Sequence, residues 1–409
     1  MAQVLQGAAV IGQSGGPTAV INQSLVGFIE EARRHGCFTR LLGARHGVKG
    51  VIKGDLVDLA CEAPEVLERV ARTPAAALGS VRQKPTADDV GVMLQTFRKH
   101  GIRFFFYVGG NDSAETAHIV EQQAAAQGFE MRCFHIPKTI DNDLRVTDHC
   151  PGYGSAARFV AHAFQGDDRD NRSLPGVKIN VVMGRHAGWL TAAATLGRRD
   201  DSDGPHLVYL PERVFDPDRF LADVQAVNTR FKRCVVAVSE GIHDAAGTPF
   251  LQVAAQQSGS ALAGAQDSHG NVQLSGTGAL GDALANLVKE KLGITRVRAD
   301  TLGYLQRSFP ADVSPVDARE AREVGRAAAR AAADGAGTSG SVAIRRLAGA
   351  AYRSETFITP LSSVARVTKD MPEECLAGDH AVAPAFREYA LPLTGAIEPM
   401  TDLGLHPAA

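Results

Sequence analysis

The chain has 409 residues, 44% apolar and 22% charged, with a formal net charge of −2. That is close to the average for a globular protein, long enough for two or three domains of about 100–200 residues each, and it gives no hint of a nucleic-acid or polyanionic-membrane partner. Six cysteines are spread singly without a C-x-x-C, which excludes a zinc ribbon or a redox dithiol. No signal-like N-terminus and no apolar run near about 20 residues is present, so a cytoplasmic protein is expected.

Ala8-Ala9-Val10-Ile11 predicts a strand, Gly12 to Thr18 a glycine turn, and Ala19 to Ile29 a helix. This is the opening of a βαβ unit, and its backbone N–H groups can hold an anion. Gly12-Gln13-Ser14-Gly15-Gly16 also matches the G-x-S-x-G elbow, which would make Ser14 a hydrolase nucleophile. Gly43 to Gly54 reads as a loop, and Leu78 to Lys84 as a glycine turn ending in the cations Arg82 and Lys84. Phe104 to Val108 is a continuous apolar run, expected for a parallel strand buried on both faces. It ends in Gly109-Gly110-Asn111-Asp112-Ser113, before a helix that Asp112 or Ser113 can cap.

Cys133-Phe134-His135-Ile136 reads as the end of another buried strand. Pro137-Lys138-Thr139-Ile140-Asp141-Asn142-Asp143 breaks it, bringing an ammonium, a hydroxyl, an amide and two carboxylates together. A plain turn is the competing explanation, since Asp and Asn favour turns. Val181-Val182-Met183 leads into Gly184-Arg185-His186-Ala187-Gly188 and a helix from Trp189, where His186 and Trp189 read as helix packing. Strands at Leu207 to Leu210 and Val235 to Val238 follow, the second ending in Ser239-Glu240-Gly241. Ala254 to Gly276 reads as loop, and Gly276 to Gly281 as a packing match to G-x-G-x-x-G. Ser314-Pro315 opens a helix to about Gly335, with Arg322, Arg326 and Arg330 on one face that is expected to be solvated.

In a parallel α/β protein the carboxyl ends of the strands converge on one crevice. Lys138, Arg82, Arg185, Arg298 and Arg307 would serve anions there. Asp112, Asp141 and Asp143 would serve Mg²⁺ or a base, and Glu240 sugar hydroxyls. These are the parts of phosphoryl transfer. No G-x-x-x-x-G-K-[ST] and no H-R-D occurs, so neither a P-loop enzyme nor a protein kinase is indicated.

Six ordered segments carry a resemblance. They are Gly15-Gly16-Pro17, Gly109 to Ser113, Pro137 to Asp143, Met183-Gly184-Arg185, Ser239-Glu240-Gly241 and Leu302-Gly303-Tyr304-Leu305-Gln306-Arg307. Together they resemble the phosphofructokinase family from about Val10 to Arg307, and more weakly to Tyr389 to Leu393. The resemblance implies an α/β fold: two Rossmann-like three-layer α/β/α domains with the active site in the cleft between them. Residues 1–150, with about 307–350 returning, would bind the phosphoryl donor. Residues 151–306, with about 351–409, would bind the sugar phosphate.

ATP-dependent members carry glycines where Asp112 and Lys138 stand, and this pair resembles the diphosphate-dependent branch. Asp112 puts bulk and negative charge where a nucleotide's α-phosphate would lie. Like charges about 4 Å apart cost about 4 kcal/mol at an effective dielectric near 20. Lys138 supplies a cation for the diphosphate itself.

The resemblance further implies reversible transfer from diphosphate to the C1 hydroxyl of fructose 6-phosphate, with Mg²⁺ as cofactor and Asp141 as general base. Lys138, Thr139 and Arg82 would assist. Gly15, Gly16, Gly110, Asn111, Asp112, Ser113 and Lys138 would bind the donor. Thr139, Asp141, Met183, Gly184, Arg185, Glu240, Arg298, Tyr304 and Arg307 would bind the sugar phosphate, and Asp112 and Asp143 the metal. Lys178 is a candidate for the 6-phosphate. In related enzymes the match to Arg298 reaches over from a neighbouring subunit, which implies a homodimer or homotetramer. The alternatives are an ATP-dependent 6-phosphofructokinase, a serine hydrolase using Ser14, and a sugar-phosphate-binding regulator without catalysis.

Overall fold

The computed structural model describes residues 5–258, 278–334, 339–365 and 368–403. Among these, two compact units separate. The first draws on Met1–Ala156 and Tyr304–Asp370, the second on Ala157–Ala263, Leu274–Gly303 and Met371–Ala409. In chain order the strands are β1 (Gly7–Gln13), β2 (Phe38–Ala44), β3 (Leu56–Asp58), β4 (Ile102–Gly109), β5 (Arg132–Pro137), β6 (Val177–Val182), β7 (Leu207–Tyr209), β8 (Cys234–Ser239), β9 (Val297–Thr301), β10 (Gly340–Arg346) and β11 (Ser354–Thr359). The helices are α1 (Ile21–Ala32), α2 (Val48–Lys53), α3 (Pro64–Ala71), α4 (Ala87–His100), α5 (Asn111–Ala126), α6 (Tyr153–Ser173), α7 (Trp189–Ala192), α8 (Pro217–Phe231), α9 (Phe250–Ser258), α10 (Ala279–Leu292), α11 (Pro315–Ala333) and α12 (Pro384–Thr394).

The first unit holds a seven-stranded sheet in the order β11-β10-β5-β4-β1-β2-β3. Its five inner strands are parallel, and β3 and β11 close the two edges antiparallel. Strand residues alternate between the faces. Phe104 and Phe106 join a core with α1, α3 and α11, while Phe105 and Tyr107 join one with α2, α4 and α5. A strand with apolar groups on both faces is what a helix–sheet–helix sandwich requires.

Helices α1 and α11 cross with almost no space between backbones. A Cβ on Gly27 would overlap the Arg322 carbonyl, and one on Gly325 would overlap the Ser24 carbonyl. The arginine face of α11 is therefore not simply solvated, as the sequence suggests. Arg322 pairs with Glu30 and Glu68, Arg326 with Glu30, and Arg330 with Glu31 and Glu323. The capping expectation at α5 also fails. Gly110 is the N-cap without a side-chain bond, and Asp112 and Ser113 sit inside the first turn.

The sequence gives residues 351–409 to the second unit, but β11 pairs with β10 along its whole length. Ser354–Thr359 therefore completes the first unit's sheet.

The second unit is built on a four-stranded parallel sheet, β7-β8-β6-β9. Gly281 of α10 lets that helix lie close on the sheet, since a Cβ there would come within 3.0 Å of the Ala299 Cβ. Gly276 lies outside the described residues, and of the expected loop from Ala254, residues 254–258 are helical. Trp189 is buried against Tyr389 and Phe386, as expected, whereas His186 is exposed. Among the described residues no helix is long and apolar enough to cross a membrane.

Candidate active site

In the first sheet, β1 has β2 on one side and β4 on the other. Crossovers diverge at such a point and leave a crevice beyond the strand carboxyl ends. The turns after β1, β4 and β5 share it: Ser14-Gly15-Gly16, Gly109 to Ser113, and Lys138 to Asp143.

Gly15 has φ of +71°, a backbone state that favours glycine. Its N–H donates to the Val81 carbonyl at 3.0 Å, and its carbonyl accepts from Ser80 Oγ at 2.6 Å. These bonds tie the exposed Arg82 loop to the glycine turn. A Cβ on Gly16 would lie 2.5 Å from Arg307 Nη1 and 3.8 Å from Arg82 Nη2. Glycine here makes room for two guanidinium groups. Arg307 also lies over the half-exposed Tyr304 ring, 4.6 Å from its centroid.

Lys138 is 3% exposed, and its Nζ donates to the Gly16 carbonyl at 2.7 Å. Burial pushes its pKa down to about 8, and Arg307 and Arg82 add to that against Asp141 and Asp143. Three cations thus crowd one glycine turn, and the two guanidinium charges make the lysine's charge costlier. Such a site is short of negative charge, and a polyanion would supply it.

Thr139 Oγ1 accepts from the Asp141 N–H at 3.1 Å, shaping the turn that presents Asp141. Asn142 takes φ of +57°, which asparagine tolerates, and its Oδ1 accepts from the Cys150 N–H at 2.9 Å. Asp143 is buried, and its pKa is raised to about 7 by desolvation and then by the Asp141 charge. Asp112 is exposed in the first turn of α5. Among the described residues no three Asp, Glu, His or Cys side chains form a ready-made metal cage.

Two residues near this site gave no local signal. Lys369 donates its backbone N–H to the Asp143 carbonyl at 2.7 Å, and its Nζ donates to the Thr147 and Asp148 carbonyls at 3.1 and 2.7 Å. His135 lies in the strand beneath, bonded to the Gly109 carbonyl. The elbow reading of Ser14 is not supported by its surroundings. Its Oγ is buried against the Val108 carbonyl and the Ser113 hydroxyl, with no histidine in those bonds.

In the second unit, Met183-Gly184-Arg185 follows β6 and Glu240 follows β8, and the two turns are joined. Ser239 Oγ donates to the Gly184 carbonyl at 2.5 Å, and Glu240 N–H to the Val182 carbonyl at 2.9 Å. Gly184 has φ of +140°, and a Cβ there would come within 2.6 Å of the Ala187 carbonyl. Glu240 is buried and Arg185 half-buried.

Arg298 is not part of this group. It is exposed on the edge strand β9, in register with Lys178. Five residues along β6 separate that level from Met183, about 16 Å at strand rise. The Lys178 ammonium is already shared between Asp167 and Asp300, at 3.0 and 2.7 Å.

The phosphofructokinase family profile matches residues 8–332. The pyrophosphate–fructose 6-phosphate 1-phosphotransferase of Rhodospirillum rubrum is 52% identical over 393 residues, 96% of this chain and 95% of that protein. The protein of the same name from Xanthomonas campestris is 40% identical, over 93% of this chain and 90% of its own length. The crystal structure of a pyrophosphate-dependent phosphofructokinase from Marinobacter aquaeolei superposes with a TM-score of 0.83 at 33% identity, covering 98% of this chain and 94% of that one. By the profile match over residues 8–332 and the relatives matched over nearly their full length, this chain belongs to the phosphofructokinase family.

Proposed function

We propose that the chain transfers a phosphoryl group reversibly from diphosphate to the C1 hydroxyl of fructose 6-phosphate, in the cytoplasm, giving fructose 1,6-bisphosphate and phosphate. The observation that carries this reading is the buried Lys138 ammonium beside Arg82, Arg307 and the Gly15-Gly16 turn. A compact polyanion suits that cluster. Asp112 at the start of α5 disfavours the longer phosphate chain of a nucleotide by like-charge repulsion. The names of the full-length relatives agree.

In this mechanism the Asp141 carboxylate takes the proton from the C1 hydroxyl as that oxygen bonds to one phosphorus of diphosphate. The bond between that phosphorus and the bridging oxygen breaks, and phosphate leaves carrying the bridging oxygen. Such a base contributes about 10²–10⁴ in rate. Lys138, Arg82, Thr139 and the Gly16 amide hold the charge that moves onto the leaving phosphate. Gly110, Asn111 and Ser113 line the donor side. Met183, Gly184, Arg185, Glu240, Tyr304 and Arg307 hold the sugar phosphate, and Arg298 serves a neighbouring copy in a homodimer or homotetramer.

The buried Asp143 beside Asp141 fits a hard divalent cation, because burial and then the Asp141 charge raise its pKa, and a cation offsets both. Mg²⁺ is commonly held by one or two carboxylates, its own waters and substrate phosphates, so a caged cluster is not required. Asp143, with the exposed Asp112, would hold it, and when bound it supplies positive charge to the diphosphate oxygens. The test is an assay of the purified protein with fructose 6-phosphate and Mg²⁺, PPi against ATP. Turnover with PPi well above that with ATP is expected, and equal or greater ATP turnover overturns the reading.

A further inference from the structure

His135 is a buried histidine that the transfer chemistry does not use. It lies in β5 between Tyr107 of β4 and Ser341 of β10. Its Nε2 meets the Gly109 carbonyl at 2.8 Å and its Nδ1 the Ser341 hydroxyl at 2.8 Å. A carbonyl only accepts, so Nε2 carries the proton and Nδ1 accepts from Ser341. Burial pushes the ring's pKa down to about 4, which keeps it neutral and in that tautomer at physiological pH.

The same Gly109 carbonyl accepts the Lys138 N–H at 2.9 Å. Gly109 ends β4, and Gly110 after it is the N-cap of the helix that carries Asp112. One carbonyl therefore joins the turn bearing Asp112 to the turn bearing Lys138, and His135 is its second donor. Gly109 has no latitude on its other side, since a Cβ there would overlap Ser113 Oγ. Packing alone does not account for the histidine. Its strand neighbours Phe134 and Ile136 are apolar, and burying an imidazole is costly unless both nitrogens are bonded.

We propose that His135 is a positioning residue for the donor: by fixing the Gly109–Gly110 peptide, it sets the spacing between the Asp112 and Lys138 turns that receive diphosphate. The proposal rests on diphosphate being the donor.

The test combines calorimetric titration of diphosphate in the absence of sugar with steady-state kinetics and melting temperatures. His135→Leu is expected to weaken diphosphate binding about tenfold and raise its KM to match, with the fructose 6-phosphate KM within about twofold. His135→Gln, whose amide can donate to the same carbonyl, recovers to within about threefold of wild type. Ser341→Ala, a milder change that releases the tautomer, weakens the same constant by about threefold and covers the case in which the leucine variant does not fold. Folded variants with wild-type diphosphate affinity overturn the proposal, as do equal rises in both KM values without recovery in His135→Gln. A wild-type protein that binds ATP and not diphosphate overturns the donor reading and the proposal with it. A normal wild type with the wrong variant pattern overturns the proposal alone.

Discussion

The Lys138 ammonium donates to the Gly16 carbonyl at 2.7 Å, so this buried cation and the first glycine turn form one bonded piece. Lys138→Met keeps most of the volume and removes the charge. Its kcat/KM for diphosphate is expected to fall by about 10²–10³, the scale of losing one transition-state electrostatic contact. Lys138→Gly combined with Asp112→Gly clears both bulk and charge, and is expected to raise ATP turnover above that of wild type. Parallel assays with the two donors check both outcomes.

Asp141→Ala removes the proposed base but none of the cations around Gly16. Turnover should drop by about 10²–10⁴ while diphosphate binding persists. Single-turnover kinetics and calorimetry separate the two, and near-normal turnover would refute the base role.

The crossing of α1 and α11 has no room for side chains at its two glycines. Gly325→Val drives two methyl groups into the Ser24 carbonyl and should lower the melting temperature by about 5 °C or more. Differential scanning calorimetry reads this directly. An unchanged transition would mean that the helices can part without cost.

His149 is buried with Nδ1 2.8 Å from Asp148 and Nε2 2.6 Å from Glu320, while Tyr352 and Ser354 donate to Glu320 and Arg346 pairs with Asp148. Burial opposes its charge, but the two carboxylates prevail and its pKa is raised from 6.5. A raised folded-state value stabilises fully below 6.5 and is lost as pH rises through the folded value. The melting temperature should therefore decline from about pH 6.5 upward, and His149→Leu should flatten that decline while lowering stability throughout. Thermal scans at several pH values make the comparison.

Much of the fold was legible because its signals are local. An apolar run such as Phe104 to Val108 ending in glycines announces a buried parallel strand and a strand-to-helix turn within a dozen residues. The strand-end turns of the candidate site were legible for the same reason: Gly16, Lys138 and Asp141 sit in such turns. What escaped depends on distant partners. Arg322 looked solvated because Glu30, its partner, is 292 residues away in the chain. Ser354 to Thr359 is a short, half-exposed edge strand whose place is set by β10 rather than by its own pattern. Arg298 looked like a strand-end residue but sits near the start of β9, a difference that only the register reveals. Lys369 reaches Asp143 through a bond that no motif encodes.

The edge formed by β10 and β11 has a consequence for synthesis. Strands β1 to β5 leave the ribosome first, yet the flank of β5 is covered only when Gly340–Arg346 arrives. At about 5–20 residues per second, that open edge waits on the order of ten seconds or more while the second unit's sheet emerges. An unpaired strand edge is a site for wrong pairing with other chains. A nascent chain stalled shortly before residue 340 should thus need chaperone protection that the finished protein does not.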